Sequence, residues 1–137
     1  MELPSLEATR ELARQVVIQA APGTLLILSG PLGAGKTTLT QQLALELGST
    51  AQVSSPTYTL VHEYPTLSGP LVHIDAYRLP DLEALLGLGL EDYLERARLV
   101  VVEWGTALLT EFPEAMHIEL ILSDDTRRAL VHRGLAP

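Results

Sequence analysis

Apolar positions recur along this chain with two spacings, and each change of spacing marks a new element. In residues 5–20, SLEATRELARQVVIQA, Leu6, Leu12, Val16 and Val17 fall at helical spacing behind Ser5, a good N-cap residue. Pro22-Gly23 ends that helix. Residues 24–29, TLLILS, are a short continuous apolar run, the pattern of a strand buried on both faces. Residues 36–47, KTTLTQQLALEL, predict a second helix that stops at Gly48. Residues 58–64 (YTLVHEY) and 71–75 (LVHID) predict two strands joined by PTLSGP as a hairpin. Residues 80–96 predict a helical segment interrupted at Gly87 and Gly89, and residues 98–103, RLVVVE, another continuous apolar strand. The tail, HIELIL–SDDT–RRALVH, predicts a final hairpin. There is no internal repeat and no low-complexity segment.

Strand–loop–helix units mixed with hairpins predict one α/β domain over residues 1–137, a sandwich around a mixed, mainly parallel central sheet. The 24–29 and 98–103 strands form its parallel core, with antiparallel additions. Ligands in such sheets sit beyond the carboxyl ends of the parallel strands, where the glycine-rich stretch after residue 29 and Glu103 meet.

Composition narrows the class. No apolar stretch approaches the roughly 20 residues a membrane span needs. The first fifteen residues, MELPSLEATRELARQ, lack the basic-then-apolar layout of a signal peptide, which predicts a cytoplasmic protein with no membrane partner. The absence of cysteine excludes disulfides and thiolate metal sites. A net charge of -8 repels a polyanion, so a link to RNA is expected to run through a partner protein. Among nine cations, Lys36 is the only lysine, at a position where a compact ammonium on a flexible stem suits contact with two phosphates.

That lysine closes the most informative stretch. Gly30-Pro31-Leu32-Gly33-Ala34-Gly35-Lys36-Thr37 fits G-x-x-x-x-G-K-[ST] between a predicted strand and a predicted helix, the arrangement of a P-loop NTPase-like sandwich. The glycines let successive N–H groups turn inward around phosphate oxygens, and the helix adds its positive end. Lys36 reaches the outer phosphates and the Thr37 hydroxyl holds magnesium. Glu103, ending the strand in VVVEWG and one methylene longer than the usual aspartate, either is a solvated strand end or supplies the second magnesium contact, direct or through water. Trp104 beside it either packs ordinarily or covers the nucleotide or a partner. Asp75, ending the strand in HIDAYRL, orients the attacking water or the magnesium shell, or else caps a turn. His73 and His62 read as core-edge or surface residues on strands. Ser55, Pro56, Thr57 and Tyr58 either lie as an ordinary connector or form the switch loop that nucleotide hydrolases carry here, with the hydroxyls of Ser55, Thr57 and Tyr58 suited to sensing the γ-phosphate or metal.

An Asn-Lys-x-Asp guanine element is impossible in a chain without asparagine, so adenine is favoured by elimination. The alternative, a small-molecule kinase using the same cradle, needs an acceptor pocket and an arginine-bearing lid that leave little spare length.

The phosphate loop, SPTYTL before a strand, HIDxYRL and VEWG together resemble one family across essentially the whole chain: TsaE (also called YjeE), small bacterial ATPases of tRNA threonylcarbamoyladenosine (t6A) synthesis. The resemblance implies ATP and magnesium as cofactors, weak hydrolysis alone, and association with the TsaB–TsaD pair that carries out the transfer to tRNA. It also implies that hydrolysis resets that machine between turnovers. Carried over by motif, Gly33, Ala34, Gly35, Lys36, Thr37 and Thr38 hold phosphates, while Thr37 and Glu103 hold magnesium. Lys36, Asp75 and Glu103 form the catalytic set. Thr9 matches a threonine beside the adenine, and Arg128, or its neighbour Arg127, an arginine near the nucleotide.

Overall fold

The computed structural model describes residues 1–31, 33–49, 61–77, 79, 81–124 and 126–135. Helix α1 (Leu6–Gln19) starts where Ser5 Oγ accepts the Ala8 N–H and turns Thr9, Leu12, Ala13 and Val16 inward. Leu6, expected on that apolar face, is instead 60% exposed on the first turn. Strand β1 (Thr24–Ser29) leads into the glycine-rich loop and then α2 (Lys36–Glu46). Strands β2 (Val61–Tyr64) and β3 (Leu71–Asp75) form the expected hairpin; residues 58–60 of its predicted first strand lie outside the described residues.

The helical segment divides at its glycines into α3 (Leu82–Leu86), capped by Asp81, and α4 (Leu90–Arg96). After β4 (Leu99–Glu103) comes a one-turn helix not foreseen from the pattern, α5 (Leu108–Glu111). The final hairpin, β5 (Met116–Ser123) and β6 (Thr126–Arg133), is longer than expected, because Ser123 already pairs with Thr126. Asp124 at its turn has φ 49°, a left-handed conformation that aspartate tolerates better than most residues.

The six strands lie in the order β2-β3-β4-β1-β5-β6. β3, β4, β1 and β5 are mutually parallel, and β2 and β6 add antiparallel edges. The parallel core thus holds two strands more than the two assigned to it from the sequence. Alternation splits the apolar side chains between two layers. Leu26, Leu28, Leu99, Val101 and Ile118 pack under α1 and α2, whereas Ile27, Val72, Ile74, Val100 and Val102 pack with α3, α4 and α5 on the other face. Asp75 pairs with Glu103, and Glu103 with Leu28, so the ends of β3, β4 and β1 are level. No helix among the described residues is long and apolar enough to cross a membrane.

Candidate functional site

The glycine-rich loop begins where β1 runs out of sheet. A Cβ at Gly30 would lie 2.3 Å from the Leu120 carbonyl oxygen, and φ there is 136°, so only glycine lets the chain leave against β5. The loop ends at Gly35, whose φ of 106° directs the backbone into α2. Leu39 is the first residue of that helix whose N–H reaches back to a carbonyl, on Gly35 at 2.9 Å. By helix geometry the amides of Lys36, Thr37 and Thr38 precede the ladder, at the positive end of the helix.

Lys36 opens α2 with its side chain only 5% exposed. Its ammonium donates to the Gly30 carbonyl at 2.7 Å and stands 3.9 Å from Glu103 Oε1. It also sits 4.0 Å from the centre of the Trp104 ring. Burial pushes the Lys36 pKa down, against the opposing pull of the Glu103 and Asp75 charges.

Glu103 is buried on the α1/α2 face of the sheet, and Oε2 accepts from His73 Nε2 at 2.5 Å. Asp75 Oδ1 accepts the Tyr77 N–H at 3.0 Å, so it caps its turn while also lining the cleft. Trp104 has φ 61° and is 38% exposed, with Tyr77 packed edge-on at 5.1 Å. It therefore covers the lysine rather than filling the core.

Gly33, Gly35, Lys36, Thr37, Thr38, Asp75, Glu103, Trp104 and Arg127 line one cleft of 180 Å³. A second cavity of 270 Å³ shares Gly35, Thr38 and Arg127 with it and adds Ala34, Thr9 and residues 3–6. Thr9 faces that second cavity, and its hydroxyl donates to the Ser5 carbonyl at 3.4 Å. The cleft's arginine is Arg127, whose Cδ lies 3.7 Å from a Cβ built on Gly35. Arg128 follows it on β6 and, by strand alternation, faces the other side of the sheet, away from both cavities. Ser55, Pro56, Thr57 and Tyr58 lie outside the described residues.

Among the described residues no group of three His, Asp or Glu side chains is placed to hold a metal. Thr37, Asp75 and Glu103 instead offer an all-oxygen set with few carboxylates. That suits magnesium, which is held by one or two carboxylates with phosphates and waters completing its shell.

Two neighbours of the cleft were missed by sequence reasoning in different ways. His73 reads as a core-edge or surface residue, although alternation already places it on the same face as Asp75, and the pairing of β3 with β4 makes that the Glu103 face. Tyr77 carried no signal beyond its place after the strand end.

Residues 3–130 match the model of the family described as threonylcarbamoyl adenosine biosynthesis protein TsaE. A Bacillus subtilis relative named tRNA threonylcarbamoyladenosine biosynthesis protein TsaE is 38% identical over 125 residues, 90% of this chain and 78% of the relative. A Streptomyces coelicolor protein of the same name is 44% identical over 108 residues, 77% of this chain and 72% of that one. The crystal structure of Bacillus subtilis YdiB superposes with a TM-score of 0.76 at 32% identity, covering 96% of this chain and 82% of YdiB. With the family pattern matched nearly end to end and the fold shared with a solved relative, the chain belongs to the TsaE family.

Proposed function

We propose that this chain binds ATP with magnesium in the two joined cavities and hydrolyses it slowly, as the nucleotide-driven component of t6A synthesis on tRNA. The observation that carries the reading is the convergence of Lys36, Thr37, Asp75 and Glu103 on one cleft beyond the level ends of β3, β4 and β1. Membership of the TsaE family supports the pathway, since its relatives are named for it.

In this reading Lys36 exchanges the Gly30 carbonyl for the outer phosphates. The amides of Gly33 to Thr38 surround the phosphate oxygens, and Thr9 and Arg127 border the base. Thr37 and Glu103 hold magnesium, which when bound supplies further neutralisation of phosphate charge. Asp75 orients the attacking water or the shell of the ion, and Ser55 to Tyr58 respond to the γ-phosphate. Catalysis is then mainly electrostatic: fixed donors and one buried ammonium offset charge on the transferring phosphoryl group. A chain of net charge -8 reaches tRNA through the TsaB–TsaD pair rather than directly.

Calorimetric titration with ATP and magnesium tests the reading. Binding is expected, and Lys36→Ala should weaken it about tenfold or more, the worth of a charge-assisted hydrogen bond, without loss of helical circular dichroism. Unchanged affinity in that variant would refute it. Phosphate release should be slow for the isolated chain and faster with TsaB–TsaD. Transfer of phosphate to a metabolite instead of water would establish the kinase alternative.

A further inference from the structure

His73 is fully buried in the centre of β3, among positions that are otherwise apolar: Leu71 precedes it on the same face, and Val101 stands opposite on β4. A histidine there costs desolvation that a leucine or valine would not. Its Nδ1 has no hydrogen-bond partner among the described residues, so its polar contact is made through Nε2, which donates to Glu103 Oε2 at 2.5 Å. That bond runs diagonally across the sheet, from His73 to the residue two beyond its register partner. It leaves Glu103 Oε1 as the oxygen nearer Lys36, the side of the cleft.

We propose that His73 is a positioning residue for the magnesium-binding carboxylate, an inference that rests on the metal role assigned above to Glu103. A glutamate at a strand end has one more rotatable bond than the aspartate usual in such folds and wanders further. Tying Oε2 to a rigid, buried imidazole removes that freedom and presents the other oxygen to the ion. Partners of metal ligands act in this way elsewhere, and losing one typically lowers metal affinity by about 10–100-fold. His73 is fully buried and does not line the cleft, so its effect passes through Glu103.

The test is the magnesium dependence of ADP binding by the full chain, measured calorimetrically for wild type, His73→Gln, His73→Asn and His73→Leu. The Gln amide can occupy the place of Nε2, whereas the shorter Asn amide cannot reach Glu103 and Leu has no donor. His73→Asn and His73→Leu should each raise the half-saturating magnesium concentration about tenfold or more, with His73→Gln within about threefold of wild type. If either the Asn or the Leu variant fails to fold, the other supplies the comparison. Affinity for ADP in chelator should stay the same throughout, and in a Glu103→Ala background changes at position 73 should have no further effect on magnesium. Equal magnesium dependence in all variants, equal impairment of Gln with the Asn and Leu variants, or a matching loss of metal-free ADP affinity overturns the inference. A wild-type chain whose ADP affinity ignores magnesium overturns the Glu103 assignment itself, and the inference with it.

Discussion

Gly30 shows how tightly single positions are constrained around the cleft. With φ 136° and the Leu120 carbonyl 2.3 Å from any added Cβ, both conformation and space exclude a side chain. Gly30→Ala is expected to lower the unfolding free energy by about 3 kcal/mol, the combined scale of a left-handed backbone penalty and overpacking, as read by urea denaturation. The same variant should bind ATP poorly, because relieving the clash with Leu120 moves the chain at residue 30 and with it the loop that leads to Gly33 and Lys36. The loop glycines and Lys36 could be read from residue types alone, since each has one physical use at that spacing. Arg127 could not be separated from Arg128, because choosing between adjacent arginines requires the facing of β6, and a hairpin tail gives no independent fix on it. His73 was open to inference through alternation, but the sequence does not reveal that β3 lies beside β4.

Among the elements, α2 couples the cleft to the core. Leu39 and Leu43 are completely buried on its inner face while Lys36 opens its first turn into the cleft. Leu43→Ala should therefore cost about 2–5 kcal/mol in denaturant unfolding, the range for truncating a buried leucine, and leave the loop sequence intact. The long elements were recoverable from periodicity because their burial follows it; β1 and β4 are continuous apolar runs since both faces are covered. The single turn of α5 was not, since four residues carry no period and its start depends on tertiary packing at Leu108. The SDDT segment was misjudged as a four-residue link for a related reason. Its outer members pair as strand residues once Asp124 adopts positive φ.

For the molecule as a whole, one contribution to the acid response of stability comes from the sheet. His117 on β5 shares a 2.9 Å hydrogen bond with the Ser29 hydroxyl and stacks on His132 of β6, whose Nε2 bonds Glu119 at 2.9 Å. Burial pushes the His117 pKa down, the charges of His132 and Arg133 push the same way, and Glu119 opposes them. An unfolded histidine titrates near about 6.5, so as pH falls below that value the unfolded chain takes up a proton that the folded chain resists. Unfolding free energy should accordingly be flat with respect to this group above about pH 7 and decline as pH falls through about 6.5 towards the depressed folded value. His117→Asn should flatten that decline in urea titrations between about pH 7.5 and 5. Fold class followed from the alternation of strand and helix patterns, whereas the six-strand order depended on pairings between segments far apart in the chain. One consequence of the lysine–indole contact concerns how such a protein can be watched. The molecule holds one tryptophan, and its ring rests 4.0 Å from the ammonium that a triphosphate would draw away. Intrinsic emission near 104 therefore serves as a label-free optical reporter, which should shift in colour or intensity as the cleft fills and return when ligand is washed out.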